Sequence, residues 1–394
     1  MYYIHIDCNA YFASCEIATR PELEGKPVVV ANDNENGGGV ILALNAEAKA
    51  LGLVRGTPLF KVRRVLEEGK VQICSADHEK YGRISRSIMD AVVQQGIVLN
   101  FVQYSVDEFF GTLPVDDPDE LRHYTAKVRD LIWQTNHIPV GCGLSQTYTL
   151  AKVATHFAKR YRGYDGICVL TPDKREKALG LLAVGEVWGV GRQNRKHLES
   201  AGIRTALDFA NMPQERVVEL LNTPGVRTWH ELNGKPAVVL ASHERRKSIM
   251  QSHTFAVMIE EKNRLAHEIA VFANRCAFSL RREGSLCSVV TVFVATNRYR
   301  DDLPQYRNQA SCRLDRPTSD TSAILKASGS LLDTLFRQGY HYKQAGVVLS
   351  GIVPDEGHQL DLFNVEADER RRKLSDTVDA INRKLGKKRI LLGA

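Results

Sequence analysis

Apolar and polar positions alternate along the first part of the chain in a way that predicts strands and helices in turn. Apolar runs bounded by turn residues predict strands, and apolar positions at helical spacing predict helices. The predicted strands are 2–7, 98–104, 108–113 and 139–145, and the predicted helices are 10–19, 77–96, 118–136 and 147–161. Short strands are also predicted near 27–30 and 40–42. This order favours a mixed α/β layer resembling a split β-α-β arrangement.

The pattern becomes helical from about Thr171 to Lys235. Within it, Val-Trp-Gly-Val-Gly at 187–191 precedes Ala-Gly-Ile at 201–203, a spacing that indicates two helices joined by a Gly-x-Gly turn. Glycines in such a turn let backbone N–H groups approach a phosphate closely. The sequence therefore favours a helix–hairpin–helix at about 186–209, although an ordinary helical turn would leave the same pattern.

A second α/β module follows a linker at 237–246. Its predicted strands are 249–258, 286–296, 308–314 and 343–352, and its predicted helices are 262–282 and 319–338. A polar segment at 354–358, the pentapeptide Gln-Leu-Asp-Leu-Phe at 359–363 and a charged helix at about 366–384 come after it.

Composition limits the class of protein. A chain of 394 residues, with 43% hydrophobic and 25% charged residues, predicts a soluble protein of two to four domains. No apolar stretch approaches the roughly 20 residues of a membrane span, and no signal pattern begins the chain. The eight cysteines contain no C-x-x-C pair, which indicates reduced thiols. We therefore expect a cytoplasmic protein that is not bound to a membrane.

Positive charge is concentrated in the second module. The net charge is +7, and residues 245–313 contain twelve Lys or Arg against six Asp or Glu. A basic module beside an acidic site suits a nucleic-acid enzyme, which needs cations for phosphates and carboxylates for metals. The alternative is a solvated surface with a chance bias.

Three carboxylates lie at the ends of apolar, strand-forming runs. Asp7 ends the first run, and Asp107 and Glu108 lie in Tyr-Ser-Val-Asp-Glu-Phe-Phe at 104–110. Unpaired charge is costly beside a core, and such carboxylates can hold two Mg²⁺ ions about 3.5–4 Å apart. Successive strand residues face opposite sides, so a bulge or a hairpin approach would have to bring Asp107 and Glu108 together. The alternative is strand-end acids that face water.

Five blocks in order resemble one family, the Y-family translesion DNA polymerases, and within it the UmuC branch, the catalytic subunits of bacterial DNA polymerase V. The blocks are Asp-x-Asn-Ala-Tyr-Phe-Ala-Ser-Cys-Glu at 7–16, Asn-Ala-Glu-Ala-Lys-Ala-Leu-Gly at 45–52, Tyr-Ser-Val-Asp-Glu at 104–108, Gly-x-Gly-Leu-Ser-Gln-Thr at 141–147 with Leu-Ala-Lys at 150–152, and Val-Trp-Gly-Val-Gly at 187–191. The resemblance runs over essentially the whole chain.

The resemblance implies an α/β (α+β) multidomain fold, the right hand of a polymerase. It implies a ferredoxin-like palm at 1–18 and 77–165, small fingers at 19–76, and a helical thumb with the helix–hairpin–helix at 166–236. It further implies an α/β little finger at 247–352, followed by a clamp-binding peptide and C-terminal tail at 353–394.

The resemblance also implies roles for individual residues. Asp7 and Asp107 would bridge both Mg²⁺ ions, Glu108 would complete the site of the ion that activates the primer 3′-hydroxyl, and the backbone carbonyl of Cys8 would add a ligand. Phe12 would be the steric gate that collides with a ribose 2′-hydroxyl. Lys49 and Lys159 would bind the triphosphate, and Lys152 should share a helix face with Lys159. The expected DNA-binding residues are Gly189, Gly191, Arg245, Arg246 and Lys247.

Partners follow from the same resemblance. Gln359, Leu360, Leu362 and Phe363 look like the peptide that docks on the β sliding clamp, although a short amphipathic linker would look the same. The other expected partners are primer–template DNA, dNTPs, a UmuD′-type dimer and a RecA filament. UmuC proteins usually continue with a basic tail beyond the position of Ala394, which leaves the last two partnerships open.

We therefore expect an error-prone, Mg²⁺-dependent translesion DNA polymerase of the SOS response. Two other readings remain open. A nucleotidyl cyclase can place two metals on a related palm, and a DNA-binding scaffold could carry an inactive acidic site. The cyclase would not need the helix–hairpin–helix, the basic module or the clamp-like peptide, and the complete set of three carboxylates argues against the scaffold.

Overall fold

The structure is a computed structural model that describes residues 1–32, 39–240, 246–355, 365–385 and 390–393. The chain divides into two compact units, Met1–Ser242 and His243–Ala394, and each is described by itself. The division falls inside the segment 237–246 that the sequence marks as a linker. Within the described residues, no helix is both long and apolar enough to cross a membrane.

The first unit contains nineteen helices and strands among its described residues. In chain order they are β1 (Tyr2–Cys8), α1 (Tyr11–Thr19), β2 (Val28–Ala31), β3 (Ile41–Leu44), α2 (Ala46–Ala50), α3 (Arg63–Glu68), β4 (Gln72–Ser75), α4 (His78–Gln95), β5 (Leu99–Gln103), β6 (Glu108–Leu113), α5 (Pro118–Asn136), β7 (Val140–Ser145), α6 (Tyr148–Arg160), β8 (Ile167–Val169), α7 (Pro172–Leu181), α8 (Arg192–Ser200), α9 (Ala206–Ala210), α10 (Gln214–Leu220) and α11 (Thr223–Leu232).

Five strands form the main sheet of this unit in the order β5-β6-β1-β7-β8. β1 is central and antiparallel to both neighbours, and β7 is parallel to β8. With α4 before β5 and α5 before β7, the first four strands have the β-α-β-β-α-β topology of a ferredoxin-like layer. The mixed α/β fold expected from the sequence is confirmed.

Strand alternation gives the two faces of β1 different partners. Ile4 and Ile6 are fully buried in a core that includes Ile88 of α4 and Leu121 of α5. Tyr3, His5 and Asp7 point the other way, and α6 covers that face: His5 Nδ1 lies 2.9 Å from Thr155 Oγ1. The strand end that carries Asp7 is therefore held between two helical layers.

A smaller sheet, β3-β2-β4, lies between α1 and α4 in the chain and has its own apolar core. After β8 the unit is helical, as the sequence predicts, but one detail differs. The segment before Gly189 is a 3₁₀ turn, Val184–Glu186, and not a full first helix of a hairpin. It is short because Val187 already has an extended backbone (φ −72°, ψ 131°).

The second unit contains β9 (Ser248–Ile259), α12 (Lys262–Arg282), β10 (Ser285–Thr296), β11 (Arg307–Thr318), α13 (Thr321–Leu335), β12 (Tyr342–Ser350), β13 (Val353–Pro354) and α14 (Val365–Lys384). Its sheet has the order β11-β10-β12-β9, with β13 beside β10. α12 and α13 cover one face, where Val290, Val292 and Val294 are fully buried.

Most boundaries lie within two residues of the sequence prediction, and two differ more. β11 continues to Thr318, because a register shift lets Thr318 pair with Cys287. α13 begins at Thr321, where the Asp320 side chain accepts hydrogen bonds from the N–H groups of Ser322 and Ala323, and it ends before the extended residue Phe336.

Candidate active site

The three carboxylates of the sequence motif lie at one end of the neighbouring strands β1 and β6. We call this region the acidic edge (Asp7, Asp107 and Glu108). Asp7 on β1 is in register with Glu108 on β6, so the two residues project from the same face. Asp107 lies in the turn before β6, and its carbonyl accepts a hydrogen bond of 2.9 Å from the Cys8 N–H. The chain therefore brings four predicted site residues together: Asp7, Cys8, Asp107 and Glu108.

The turn between β5 and β6 accommodates the two adjacent acids. β5 ends at Gln103, and the N–H groups of Tyr104 and Ser105 both donate to the Glu108 carbonyl, at 2.9 and 3.1 Å. Asp107 is thus outside the regular strand, where the alternation of strand faces does not apply. Ser105 Oγ donates to Asp107 Oδ1 at 2.5 Å, which holds this carboxylate inside the turn.

Two lysines of α6 neutralise the other two carboxylates. Lys159 Nζ lies 2.6 Å from Asp7 Oδ1, and Lys152 Nζ lies 2.6 Å from Glu108 Oε1. The lysines are seven residues apart, two helical turns, and so lie on the same face of α6. α6 can approach because β7 carries glycines: a Cβ at Gly141 would lie 2.5 Å from Lys159 Cγ, and one at Gly143 would lie 2.2 Å from the Ala151 carbonyl oxygen.

Glu108 is the most strongly perturbed acid of this edge. Burial acts to raise its pKa, but hydrogen bonds from His5 and Lys152 outweigh burial and hold the pKa at about 2. His5 Nε2 lies 3.3 Å from Glu108 Oε1. Burial lowers the pKa of His5, with Glu108 opposing it, so His5 is neutral at neutral pH and lies beside an ionised Glu108.

Three aromatic rings surround the ammonium group of Lys152. The distances from Nζ to the ring centroids are 5.0 Å for Tyr104, 5.1 Å for Trp188 and 5.8 Å for Phe110, all within range of a cation–π interaction. Trp188 Nε1 also donates to the Tyr104 hydroxyl at 3.2 Å. Trp188 directly precedes Gly189, so the Gly-x-Gly turn lies beside Tyr104 and the Lys152 ammonium group.

The donor set of the acidic edge fits a hard divalent cation, since Mg²⁺ prefers carboxylate and carbonyl oxygens. The side chains are not gathered around one point, however. In the part of the chain that the structure describes, no three His, Cys, Asp or Glu side chains form a metal-binding group. Asp7 turns to Lys159, Glu108 to Lys152 and Asp107 to Ser105, because these donors supply the compensation that each carboxylate needs.

The remaining predicted residues lie elsewhere. Phe12 is half-buried on α1 and stacks on Tyr81, whereas its neighbour Tyr11 is buried. Lys49 is exposed on α2. Gly189 has φ +87°, a conformation that favours glycine, and a Cβ at Gly191 would meet nothing within 4 Å.

In the second unit, Arg246 lies 3.3 Å from Glu283, and Lys247 is exposed. Arg245 and the predicted clamp peptide, with Gln359, Leu360, Leu362 and Phe363, lie outside the described residues. Sequence reasoning missed His5 and Trp188 as parts of the site. The only signal was their position, His5 two residues before Asp7 and Trp188 beside a glycine turn.

Comparisons with known proteins identify the family and the fold of the chain. A family model described as the impB/mucB/samB family matches residues 6–156, and the model of its C-terminal domain matches residues 246–362. Among solved structures, a Y-family DNA polymerase chimera of Dbh and Dpo4 superposes with a TM-score of 0.73 at 18% identity, covering 90% of this chain and all of that one. The fold is thus that of the Y-family DNA polymerases.

Sequence relatives show which proteins of this fold the chain is similar to. The protein UmuC of Salmonella typhimurium is 34% identical over 97% of this chain and 90% of its own, and the protein MucB of Escherichia coli is 33% identical over 96% and 90%. A DNA polymerase IV of Methanoculleus marisnigri is 29% identical over 88% and 93%. The chain belongs to the impB/mucB/samB family and is a UmuC-like translesion DNA polymerase.

Proposed function

We propose that the acidic edge catalyses template-directed addition of dNTPs to a primer 3′-hydroxyl with two Mg²⁺ ions, in error-prone bypass of damaged DNA during the SOS response. The observation that carries this proposal is the pairing of Asp7 with Glu108 beside Asp107, next to two lysines of one helix. The Y-family fold implies dependence on a divalent metal. Two Mg²⁺ ions would supply Lewis-acid stabilisation of the attacking and leaving oxygens.

The residues of the chain have separate tasks in this proposal. Asp7, Asp107, Glu108 and the Cys8 carbonyl hold the metals, and His5 and Lys152 keep Glu108 ionised. Lys159 would bind the triphosphate: its ammonium group lies 2.6 Å from Asp7 Oδ1, and it would become available to the phosphates if Asp7 held a metal. Lys49 is the second triphosphate contact, and Phe12 excludes a ribose 2′-hydroxyl.

The second unit offers a surface that suits duplex DNA. On the sheet face opposite α12 and α13, the outermost strand β11 exposes Arg307, Gln309, Ser311 and Arg313 in alternation. Extended rows of cationic and hydroxyl groups contact phosphates without reading bases. Arg246 and Lys247, both exposed, add positive charge just before β9, and Arg245 is proposed from the sequence alone. The Gly-x-Gly turn with Gly189 and Gly191 supplies backbone N–H groups for a further phosphate.

Partners and location complete the proposal. The substrates are primer–template DNA and dNTPs, and the peptide at 359–363 docks on a β sliding clamp. In this proposal the accessory partners are a UmuD′-type dimer, which the UmuC-type relatives suggest, and a RecA filament, and we place the protein in the cytoplasm. The small finger region leaves the nascent base pair loosely enclosed, so selection by shape is weak and damaged templates fit.

Primer extension tests the proposed reaction. Purified protein with a primed template, dNTPs and Mg²⁺ should extend the primer, and Asp107→Ala should abolish extension. Asp90→Ala, an exposed acid on α4, is the matched control and should extend normally. Extension that survives Asp107→Ala would overturn the assignment, and formation of a cyclic nucleotide without a template would favour a cyclase. Bypass of an abasic site, with and without UmuD′ and RecA filament, tests the lesion-bypass role.

A further inference from the structure

Phe12 is supported from behind by a residue of another helix. Its ring stacks on Tyr81 of α4 with a centroid distance of 4.4 Å and an interplanar angle of 17°. His78, the first residue of α4, meets the Phe12 ring edge-on at 5.4 Å. The position of Phe12 is therefore set by α4 as well as by its own helix.

Tyr81 is tied to α1 at both ends. The side chain is fully buried, and its hydroxyl donates to Glu16 Oε1 at 2.6 Å. Its backbone carbonyl accepts a hydrogen bond of 2.7 Å from the Tyr11 hydroxyl. Phe12 and Glu16 are four residues apart and so lie on the same face of α1. The contacts form a closed loop, from Phe12 to the Tyr81 ring, from the Tyr81 hydroxyl to Glu16, and back along one helical turn.

Glu16 is a buried carboxylate that this loop requires. It is 2% exposed, and it also accepts from Lys80 Nζ at 2.7 Å and from Arg20. Burial acts to raise the pKa of Glu16, but the hydrogen bonds from Lys80 and Tyr81 prevail and lower it. Arg20 Nη2 in turn donates to Cys74 Sγ on β4 at 2.9 Å. A carboxylate this buried is costly unless its partners hold it in one geometry.

We propose that Tyr81 and Glu16 are positioning residues that hold the Phe12 ring rigid and thereby set how strongly the enzyme discriminates against ribonucleotides. This inference rests on the proposed function, in which Phe12 meets the sugar of the incoming nucleotide. A steric barrier against a single hydroxyl group works only if the barrier cannot move, and a site must be held to within about 0.5 Å to be effective. The stack on Tyr81 provides that resistance, and Glu16 keeps Tyr81 in place.

The test measures kcat/KM for a dNTP and for the matching rNTP, with purified full-length chain on primed template. Tyr81→Leu removes the stack and should raise the rNTP/dNTP ratio about tenfold, since aromatic pairs contribute up to roughly 1.5 kcal/mol and 1.4 kcal/mol is tenfold. Both Tyr81→Phe, which removes the hydrogen bond to Glu16, and Glu16→Gln, which neutralises the carboxylate that Tyr81, Lys80 and Arg20 contact, keep the rings and should raise the ratio about two- to fourfold.

The control is Tyr342→Phe in the second unit. Tyr342 is also fully buried, and its hydroxyl is hydrogen-bonded to the backbone of Arg337. This variant should leave the ratio unchanged. Should Tyr81→Leu fail to fold, Tyr81→Phe combined with Phe12→Ala replaces it: once Phe12 is gone, loss of the Tyr81 hydroxyl should no longer change the ratio.

The outcomes separate the two levels of the proposal. A ratio that rises in Phe12→Ala but stays at the wild-type value in the Tyr81 and Glu16 variants would overturn the positioning role and leave the gate intact. Equal losses of kcat/KM for both nucleotides would mean that Tyr81 and Glu16 only stabilise the fold, which also overturns it. A ratio unchanged in Phe12→Ala itself would instead remove the proposed role of Phe12.

Discussion

Charged side chains are arranged differently at the acidic edge of the first unit and on the open face of the second unit, by which we mean the sheet face opposite α12 and α13. At the acidic edge, two carboxylates each lie 2.6 Å from a lysine of the same helix. On the open face, Arg307 and Arg313 of β11 are exposed and occur in cross-strand rows with small and apolar residues such as Ala295 and Val289. The acidic edge holds each of these carboxylates beside one lysine, and the open face spreads its positive charges along a surface.

This difference matches the two tasks of a polymerase. Chemistry at a single phosphorus atom requires ligands at fixed positions, so each carboxylate and each lysine needs its own partner and its own distance. Binding a duplex of any sequence requires only a surface that follows the phosphate backbone. Substitutions at the acidic edge should therefore have large and specific effects, and those on the open face small and cumulative ones.

The largest effect is expected at Asp7. Asp7→Asn keeps the shape of the side chain but removes the charge that balances Lys159, and primer extension should fall on the order of 10³-fold, about 4 kcal/mol. Single-turnover kinetics with bound primer–template separates this loss in rate from a loss in DNA affinity. A decrease of less than about tenfold would show that Asp7 does not hold the reacting groups.

The next effect is a pH dependence of stability that arises from Glu108. Its pKa of about 2 lies below the ordinary glutamate value of 4.5, so ionised Glu108 stabilises the folded state. This stabilisation is fully present above pH 4.5 and is lost as the pH falls toward 2, and it should amount to about 2–3 kcal/mol. Urea unfolding in the absence of metal should show that wild type and Glu108→Gln differ at pH 7 and converge only as the pH approaches 2.

A smaller loss of stability is expected from Lys152→Met. The substitution leaves Glu108 partly buried without its ammonium partner and should lower the free energy of unfolding of the first unit by about 1–2 kcal/mol. The three tryptophans, Trp133, Trp188 and Trp229, all belong to this unit, so their fluorescence reports its unfolding. Arg63→Met breaks an exposed pair with Glu67 at 2.9 Å and should cost no more than about 0.5 kcal/mol. If both variants lost the same free energy of unfolding, burial would not strengthen the Glu108–Lys152 pair, which would contradict this prediction.

The smallest effect per residue is expected on the open face. Arg307→Gln and Arg313→Gln should each weaken DNA binding by less than about tenfold and reduce the slope of log K against log salt by about 0.9. Lys262→Gln is the control, because Lys262 is on α12, on the covered side of the sheet, and pairs with Asp333 at 2.8 Å. Fluorescence anisotropy at several salt concentrations measures the slopes, and an unchanged slope in both arginine variants would exclude this face as the DNA surface.

The sequence predicted much of this fold because its local signals agree with the final structure. The helices at 118–136 and 262–282 and the strand at 108–113 have the expected bounds, since periodicity, caps and turn residues are properties of the nearest neighbours in the chain. The end of α13 at Leu335 and the end of β11 at Thr318 differ, because the extended residue Phe336 and a register shift between strands determine them.

The sequence likewise predicted some residues of the candidate site and missed others. Motif spacing was enough to select Asp7, Asp107 and Glu108 as candidates, and helical periodicity was enough to put Lys152 and Lys159 on the same face. The sequence could not indicate His5 or Trp188, because neither a histidine nor a tryptophan identifies a site unless its neighbours in space are known. Trp188 is 84 residues from the Tyr104 hydroxyl to which it donates, and no local pattern links the two.

By itself, then, the sequence determined which residues carry charge, which elements they occupy and which side of each element they face, because these depend on composition and short-range spacing. Only the tertiary structure decided which lysine meets which carboxylate, and that Tyr81 both stacks on Phe12 and donates to Glu16, 65 residues before it in the chain. The physical reason is that such pairs depend on the register between β1 and β6 and on the packing of α4 and α6. Long-range contacts set both.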